Sequence, residues 1–245
     1  MITVVGTGHV FRLQEQILFL VKHIWPDCVL VELDYTRYKI LTEPPKEGED
    51  AEKAQKEEMK KTPWIYRNTA KYQKRMAEDH RSGVGQELVT AVNAGRLLGA
   101  EIGFIDTNAA NVVAEMWEEM SFREKARYTL STYKDRVVGK KGVDQVVKDF
   151  SENEDKMMAD MRRKYPTLVR KLIDERNVHM AEQIRGYCDR FRNILVVCGD
   201  AHVEGICSLL SDQEIFKIRL GDIVDEERFK IICKTVWDFR GGETE

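Results

Sequence analysis

The sequence predicts an α/β fold: a central, mostly parallel sheet flanked by helices, with a large helical insertion between the N-terminal and C-terminal sheet strands. Three observations carry that expectation. Two short β-branched runs, Ile2-Thr3-Val4-Val5 and Val29-Leu30-Val31, are separated by an amphipathic stretch, Phe11–Ile24, and such a strand–helix–strand unit closes as a right-handed crossover between parallel strands. A run of the same kind returns late, at Ile194-Leu195-Val196-Val197. Between Asn108 and about Glu182 apolar residues recur at helical spacing, and no strand pattern interrupts them.

Length and composition set the frame. The 245 residues can bury a core as a single α/β domain over 1–240, with Gly241-Gly242-Glu243-Thr244-Glu245 as a disordered tail. Hydrophobic residues make up 42% and charged residues 33%, the mark of a globular chain with a heavily charged surface. The formal net charge of −3 argues against a nucleic-acid partner, which calls for a basic face. No apolar run approaches the roughly 20 residues that cross a bilayer. The N-terminus enters a strand with no basic lead, so it does not read as a signal peptide. The five cysteines are odd in number and form no Cys-x-x-Cys pair, which fits free thiols in a reduced, cytoplasmic setting. Nothing in the sequence fixes an oligomeric state.

Each element follows from local chemistry. The run Val29-Leu30-Val31-Glu32-Leu33 is a second buried strand, ending at Asp34. A carboxylate inside an apolar run needs a partner. Glu32 is therefore read as aimed into a strand-end site beside His9; the competing reading is a solvent-facing glutamate on an edge strand. Residues 43–82 are read as a charged flap followed by a helix. The stretch 43–62 mixes charges at helical spacing and reads as a solvated flap near the site mouth, and Pro63-Trp64 start a helix to about Asp79. Gly83-Val84-Gly85 then leads into an amphipathic helix with Leu88, Ala91, Val92, Gly95 and Leu98 on one face. Glu87 falls in its first turn, where the helix dipole favours a carboxylate, and Gly99 suits its end. The strand Ile102-Gly103-Phe104-Ile105 follows and stops at Asp106.

The region 108–191 is read as helical. Ser121-Phe122-Arg123-Glu124 and Ser151-Glu152-Asn153-Glu154 have the form of capping boxes. Pro166 fits the first turn of a long helix to about Phe191. With Ile173 at the centre of the helical wheel, Val169, Met180, Ile184 and Tyr187 fall within about 40°. Arg176 and Asn177 lie on or beside that face and Glu175 points away, so a polar pair sits in an apolar stripe and needs partners. The chain closes with a helix Val203–Leu210, a strand Ile215–Leu220 and a final pattern, Phe229–Phe239, that fits a strand.

One figure occurs twice: a strand, then Gly-x-x-His-Val, as Gly6-Thr7-Gly8-His9-Val10 and Gly199-Asp200-Ala201-His202-Val203. Glycine lets the backbone turn sharply off a strand, and the carboxyl edge of an open α/β sheet is where ligands bind. If the two strands are neighbours, the histidines face one another. The residues gathered at that edge are His9, Glu32, Glu87, Arg176, Asn177 and His202. Two imidazoles and a carboxylate (His9, His202 and Glu32) are a sound ligand set for a divalent metal with a position left for water, whose pKa the ion lowers to roughly 7. Glu87 then reads as a general base and Arg176 as the group that stabilises an oxyanion, with Asn177 beside it as a further catalytic candidate. No serine sits on a nucleophile elbow, and Gly6-Thr7-Gly8 lacks the third glycine of a dinucleotide fingerprint.

Five blocks occur in order: Val5-Gly6-Thr7-Gly8-His9-Val10; Val31-Glu32-Leu33-Asp34-Tyr35-Thr36-Arg37-Tyr38; Gly85-Gln86-Glu87-Leu88; Glu175-Arg176-Asn177-Val178-His179-Met180-Ala181; and Val197-Cys198-Gly199-Asp200-Ala201-His202-Val203-Glu204-Gly205-Ile206. Together they resemble the TraB/PrgY family, which is similar to the TIKI metalloproteases and the wider EreA/ChaN-like group. The resemblance runs from residue 2 to about residue 210. It implies an α/β fold and a two-Gly-x-x-His site at His9, Glu32, Glu87, Arg176, Asn177 and His202. It favours manganese or cobalt, with zinc also admissible, and a peptide or small-molecule substrate. TIKI members are metal-dependent peptidases, while TraB/PrgY members are linked to shutdown of peptide pheromone signalling. The expectation is a metal-dependent hydrolase, foremost a peptidase; the alternative is a non-catalytic protein that sequesters a peptide or small ligand. Many relatives place an arginine after the strand-end aspartate, where this chain has Asp106-Thr107.

Overall fold

The computed structural model describes residues 1–8, 11–43, 85–138 and 156–239, with side chains to residue 131 in the third segment and to 236 in the last. His9, the expected flap and helix beyond Glu43, the second capping box and the tail lie outside the described residues.

In chain order the elements are β1 (Ile2–Thr7), α1 (Gln14–Ile24), β2 (Cys28–Val31), α2 (Tyr35–Thr42), α3 (Gln86–Leu97), β3 (Glu101–Phe104), α4 (Ala109–Glu119) and α5 (Phe122–Val138). After the helical residues 156–164 come α6 (Pro166–Val169), a π turn (Arg170–Asp174), α7 (Glu175–Cys188), β4 (Ile194–Gly199), α8 (Asp200–Leu209), β5 (Ile215–Ile218), α9 (Leu220–Val224) and α10 (Glu226–Phe239). The described strands form one sheet in the order β3-β2-β4-β1-β5, with every pair parallel.

Strand alternation divides the core into two layers. Val5, Val29, Val31, Leu195 and Val197 meet α1, α3, α9 and α10 on one face. Ile2, Val4, Cys28, Leu30, Ile194, Val196 and Cys198 meet α7 and α8 on the other. Strands covered on both faces read as unbroken apolar runs rather than as alternations, which is why β1, β2 and β4 stood out in the sequence. A third cluster of Val113, Met116 and Met120 joins α4 to Leu168 and Leu172, away from the sheet.

This topology also creates the site. After β2 the chain turns to the α1/α3 face, and after β4 it turns to the α7/α8 face. Since β2 and β4 are neighbours, a crevice opens above their carboxyl ends, the usual place for a ligand in a parallel sheet.

One element differs from expectation. The pattern Phe229–Phe239 is the helix α10, not a strand. Phe229, Ile232 and Val236 are the residues that reach the core, and their i, i+3, i+7 spacing is helical. Among the described residues no helix is long and apolar enough to cross a membrane.

Candidate functional site

Glu32 stands where β2 ends, with its own N–H donated to Val197 O on β4 at 3.0 Å. Its carboxylate accepts the Gly199 N–H at 2.5 Å and Arg176 Nη2 at 2.5 Å. Arg176 reaches in from α7 and makes a two-point contact with Asp106 at the end of β3, Nε to Oδ1 at 2.9 Å and Nη2 to Oδ2 at 2.7 Å. Its Nη1 donates to Leu172 O at 3.1 Å and stands 3.2 Å from His202 Nε2. His202, in the first turn of α8, holds Asn177 Oδ1 at 2.7 Å through Nδ1, and its Nε2 lies 3.3 Å from Glu32 Oε1. Glu32, Asp106, Asn177 and His202 are all buried.

Glycines make room for this packing. A Cβ on Gly199 would stand 3.2 Å from Glu32 Oε2, and one on Gly205 would stand 2.1 Å from Asn177 Nδ2. The π turn sets the other side. In an uninterrupted α-helix Val169 and Asn177 would point roughly 80° apart, and the extra residue of the π turn reduces that to roughly 20°. Both are consequently buried, whereas Ile173, the predicted centre of the stripe, is only half-buried. Lys171 within the turn is held by Glu119 and Glu175, each at 2.9 Å, and by Glu115 at 3.3 Å, which ties the turn to α4.

Burial works against ionisation of Glu32, but the charges of His202 and Arg176, with hydrogen bonds from His202 and the Gly199 N–H, hold its carboxyl well below the usual carboxylate range. Burial likewise opposes the charge of Arg176, and the charge of Glu32 with the hydrogen bonds from Asp106 overcomes it, so the guanidinium stays protonated. With Nδ1–H given to Asn177, Nε2 of His202 either accepts from Arg176 or, once protonated, donates to Glu32. The ring is thus pinned at Nδ1, and its Nε2 faces Arg176 and Glu32.

The donor set has part of the geometry that a divalent metal needs. Glu32 Oε1 and His202 Nε2 are 3.3 Å apart, close to the roughly 3.4 Å between two ligands of a tetrahedral ion with bonds near 2.1 Å. The pair is bridged by the Arg176 guanidinium, however, and no three His, Cys, Asp or Glu side chains among the described residues converge on one point. The described donors therefore do not fit a metal by themselves. The third ligand expected from the sequence, His9, lies outside the described residues, although its strand is where the repeated motif requires: β1 pairs with β4 in parallel, Gly6 opposite Cys198 and Thr7 opposite Gly199.

Of the other expected residues, Arg176, Asn177, Glu32 and His202 come together as one cluster. Glu87 is buried in the first turn of α3, and the described contacts of Arg176 run to Glu32 and Asp106 rather than to Glu87. Asp106 was missed in the sequence. Its signal was present, since β3 ends in an acid as β2 does. Asp200 was also passed over. It is buried at the start of α8 and bound by Arg219 through Nε at 3.0 Å and Nη2 at 2.8 Å. Burial, then the charge of Glu101, pushes Cys28 up to about 12, and burial, then the charges of Glu32 and Asp200, raises Cys198 well above a free thiol, so both buried thiols stay protonated.

A fully parallel α/β sheet with a histidine, two acids and an arginine gathered at its switch point defines the class: a crevice-site α/β protein built around a Gly-x-x-His turn. The chain belongs to the TraB/PrgY/gumN family, whose pattern matches residues 1–214. It is also similar to an uncharacterized protein of Methanocaldococcus jannaschii, 26% identical over 214 residues, which is 87% of this chain and 54% of that protein. The chain thus spans about half the length of that curated relative. No solved structure matches it.

Proposed function

We propose that this protein is a hydrolase, foremost a peptidase, working at the carboxyl edge of β2, β3 and β4. The observation that carries the reading is His202, pinned by Asn177 at Nδ1 and facing Glu32 and Arg176 with Nε2. In this proposal His202 Nε2 takes the proton of an attacking water. The two carboxylates outweigh the single guanidinium, so the cluster stabilises the imidazolium that forms. Asn177 keeps the ring in one tautomer throughout. Arg176 supplies the fixed positive charge beside the reacting atoms. The peptide as substrate comes from the family resemblance, and so does a divalent ion that His9, Glu32 and His202 would hold.

The test is mass spectrometry of a peptide mixture incubated with the purified chain, with EDTA and separately with Mn²⁺, Co²⁺ or Zn²⁺. New peptide termini should appear and vanish in His202→Ala, and Asn177→Ala should cut the rate by about 10²-fold or more, as loss of a general base's orientation does. Cleavage surviving EDTA would remove the metal from the proposal. Peptide retained but never cut under any condition would replace hydrolysis with sequestration. In this proposal the ligand lies in the open groove of about 320 Å³ beside Arg176, lined by Thr107, Asn111, Glu115 and Lys171.

A further inference from the structure

The Gly-x-x-His turn after β4 holds a second buried acid that the site as described does not use. Asp200 is the first residue of α8, and its side chain is 8% exposed. It points away from His202. Its Oδ1 accepts the Leu220 N–H at 2.7 Å and Arg219 Nε at 3.0 Å, and its Oδ2 accepts Arg219 Nη2 at 2.8 Å. Arg219 and Leu220 form the junction between β5 and α9. Between Asp200 and that junction lies β1, where Gly6 gives way: a Cβ there would stand 2.0 Å from Asp200 Oδ1. Helix capping alone does not require any of this, because an acid at a helix start is favoured by the dipole while facing solvent.

We infer that Asp200 is a positioning residue for His202. The first turn of α8 is tied down in two opposite directions within three residues. Asp200 fastens it to the junction of β5 and α9 on one side, and His202 fastens it to Asn177 on α7 and to Glu32 just past β2 on the other. A helical turn allows little rotation once one end is clamped at two points. The Asp200 clamp therefore sets the angle at which the His202 ring meets its partners. Arg219 Nη1 also bonds Glu204 Oε1 at 3.0 Å, one turn further along the same helix, which stiffens the anchor.

The inference rests on His202 being the working group of the proposed hydrolase, yet its test needs no turnover. With the full chain labelled with ¹⁵N-histidine, the hydrogen-bonded Nδ1–H of His202 is read by NMR and assigned with His202→Gln. In Asp200→Asn that proton should exchange about tenfold faster or more, the change expected when a local hydrogen bond weakens, while the backbone amide spectrum keeps the wild-type dispersion. Should Asp200→Asn fail to fold, Arg219→Lys decides, since it keeps the charge and loses the two-point contact. An unchanged His202 proton in a folded variant of either kind would overturn the inference. Faster exchange in a chain that cuts no peptide would keep the inference and sink the hydrolase reading alone.

Discussion

Removing the guanidinium of Arg176 strands two carboxylates, Glu32 and Asp106, whose side chains are 7% and 1% exposed. Arg176→Ala should therefore destabilise the protein by about 3–5 kcal/mol in urea melts, the range for breaking a buried pair from one side. Arg176→Lys keeps the charge, but an ammonium does not span both acids with a planar fork, so a smaller loss of about 1–3 kcal/mol is expected. Equal stability in Arg176→Ala and the wild type would mean the cluster is open to water. The pH dependence has a definite sign. Glu32 is held below its ordinary pKa in the folded state, so its contribution is complete above the unfolded value near about 4.3 and is lost as pH falls through the folded value. Stability should drop below about pH 4.3, and Glu32→Gln should flatten that slope. An identical acid limb in Glu32→Gln would place the proton uptake elsewhere.

Two helical glycines separate packing from propensity at the level of the elements. Gly186 on α7 has nothing within 4 Å of a built Cβ, whereas Gly205 on α8 faces Asn177 Nδ2 at 2.1 Å. Glycine-to-alanine inside a helix is normally worth about 0.5–1 kcal/mol. Gly186→Ala should gain that amount, while Gly205→Ala should lose about 1–3 kcal/mol through overpacking and should displace Asn177 from His202. Thermal melts of the pair read the contrast, and a gain in both would mean that α7 and α8 are less tightly packed than described. The same two helices show where the sequence was legible. The apolar period gave Met180 and Ile184 correctly, because they follow the π turn in one unbroken α register. It misplaced Ile173, because a π turn leaves no compositional mark. In α10, Phe229, Ile231 and Phe239 are an even number of positions apart, which fits a strand face; only the packing of Phe229, Ile232 and Val236 on the core shows the helical period.

At the scale of the molecule, the two strands that carry the doubled Gly-x-x-His turn, β1 and β4, are parallel neighbours, the condition on which the histidines of the two turns would share one edge. The partner that completes the cluster, Asp106, was visible only as an echo, since nothing local says that β3 lies next to β2. Long-range pairing is what a single sequence conceals. The thiols give a check on the whole sheet. Cys28 and Cys198 lie in neighbouring central strands, fully buried and with raised pKa. At neutral pH iodoacetamide should leave both unmodified until global unfolding, so their labelling rate should track the urea transition. Rapid labelling of either one in native buffer would reveal a local opening of the sheet.

The strand order has a consequence for how the chain is made. Among the described strands β1 pairs only with β4 and β5, and β2 is divided from β1 by β4. A ribosome that has released the first 190 residues has therefore delivered three of the described strands, the pair β2–β3 and, apart from it, β1. The sheet closes only when residues 194–199 slide in like a keystone, a late, non-local step of the kind that slows folding and leaves strand edges open meanwhile. Nascent chains stalled before that point are the form of this protein most in need of a chaperone.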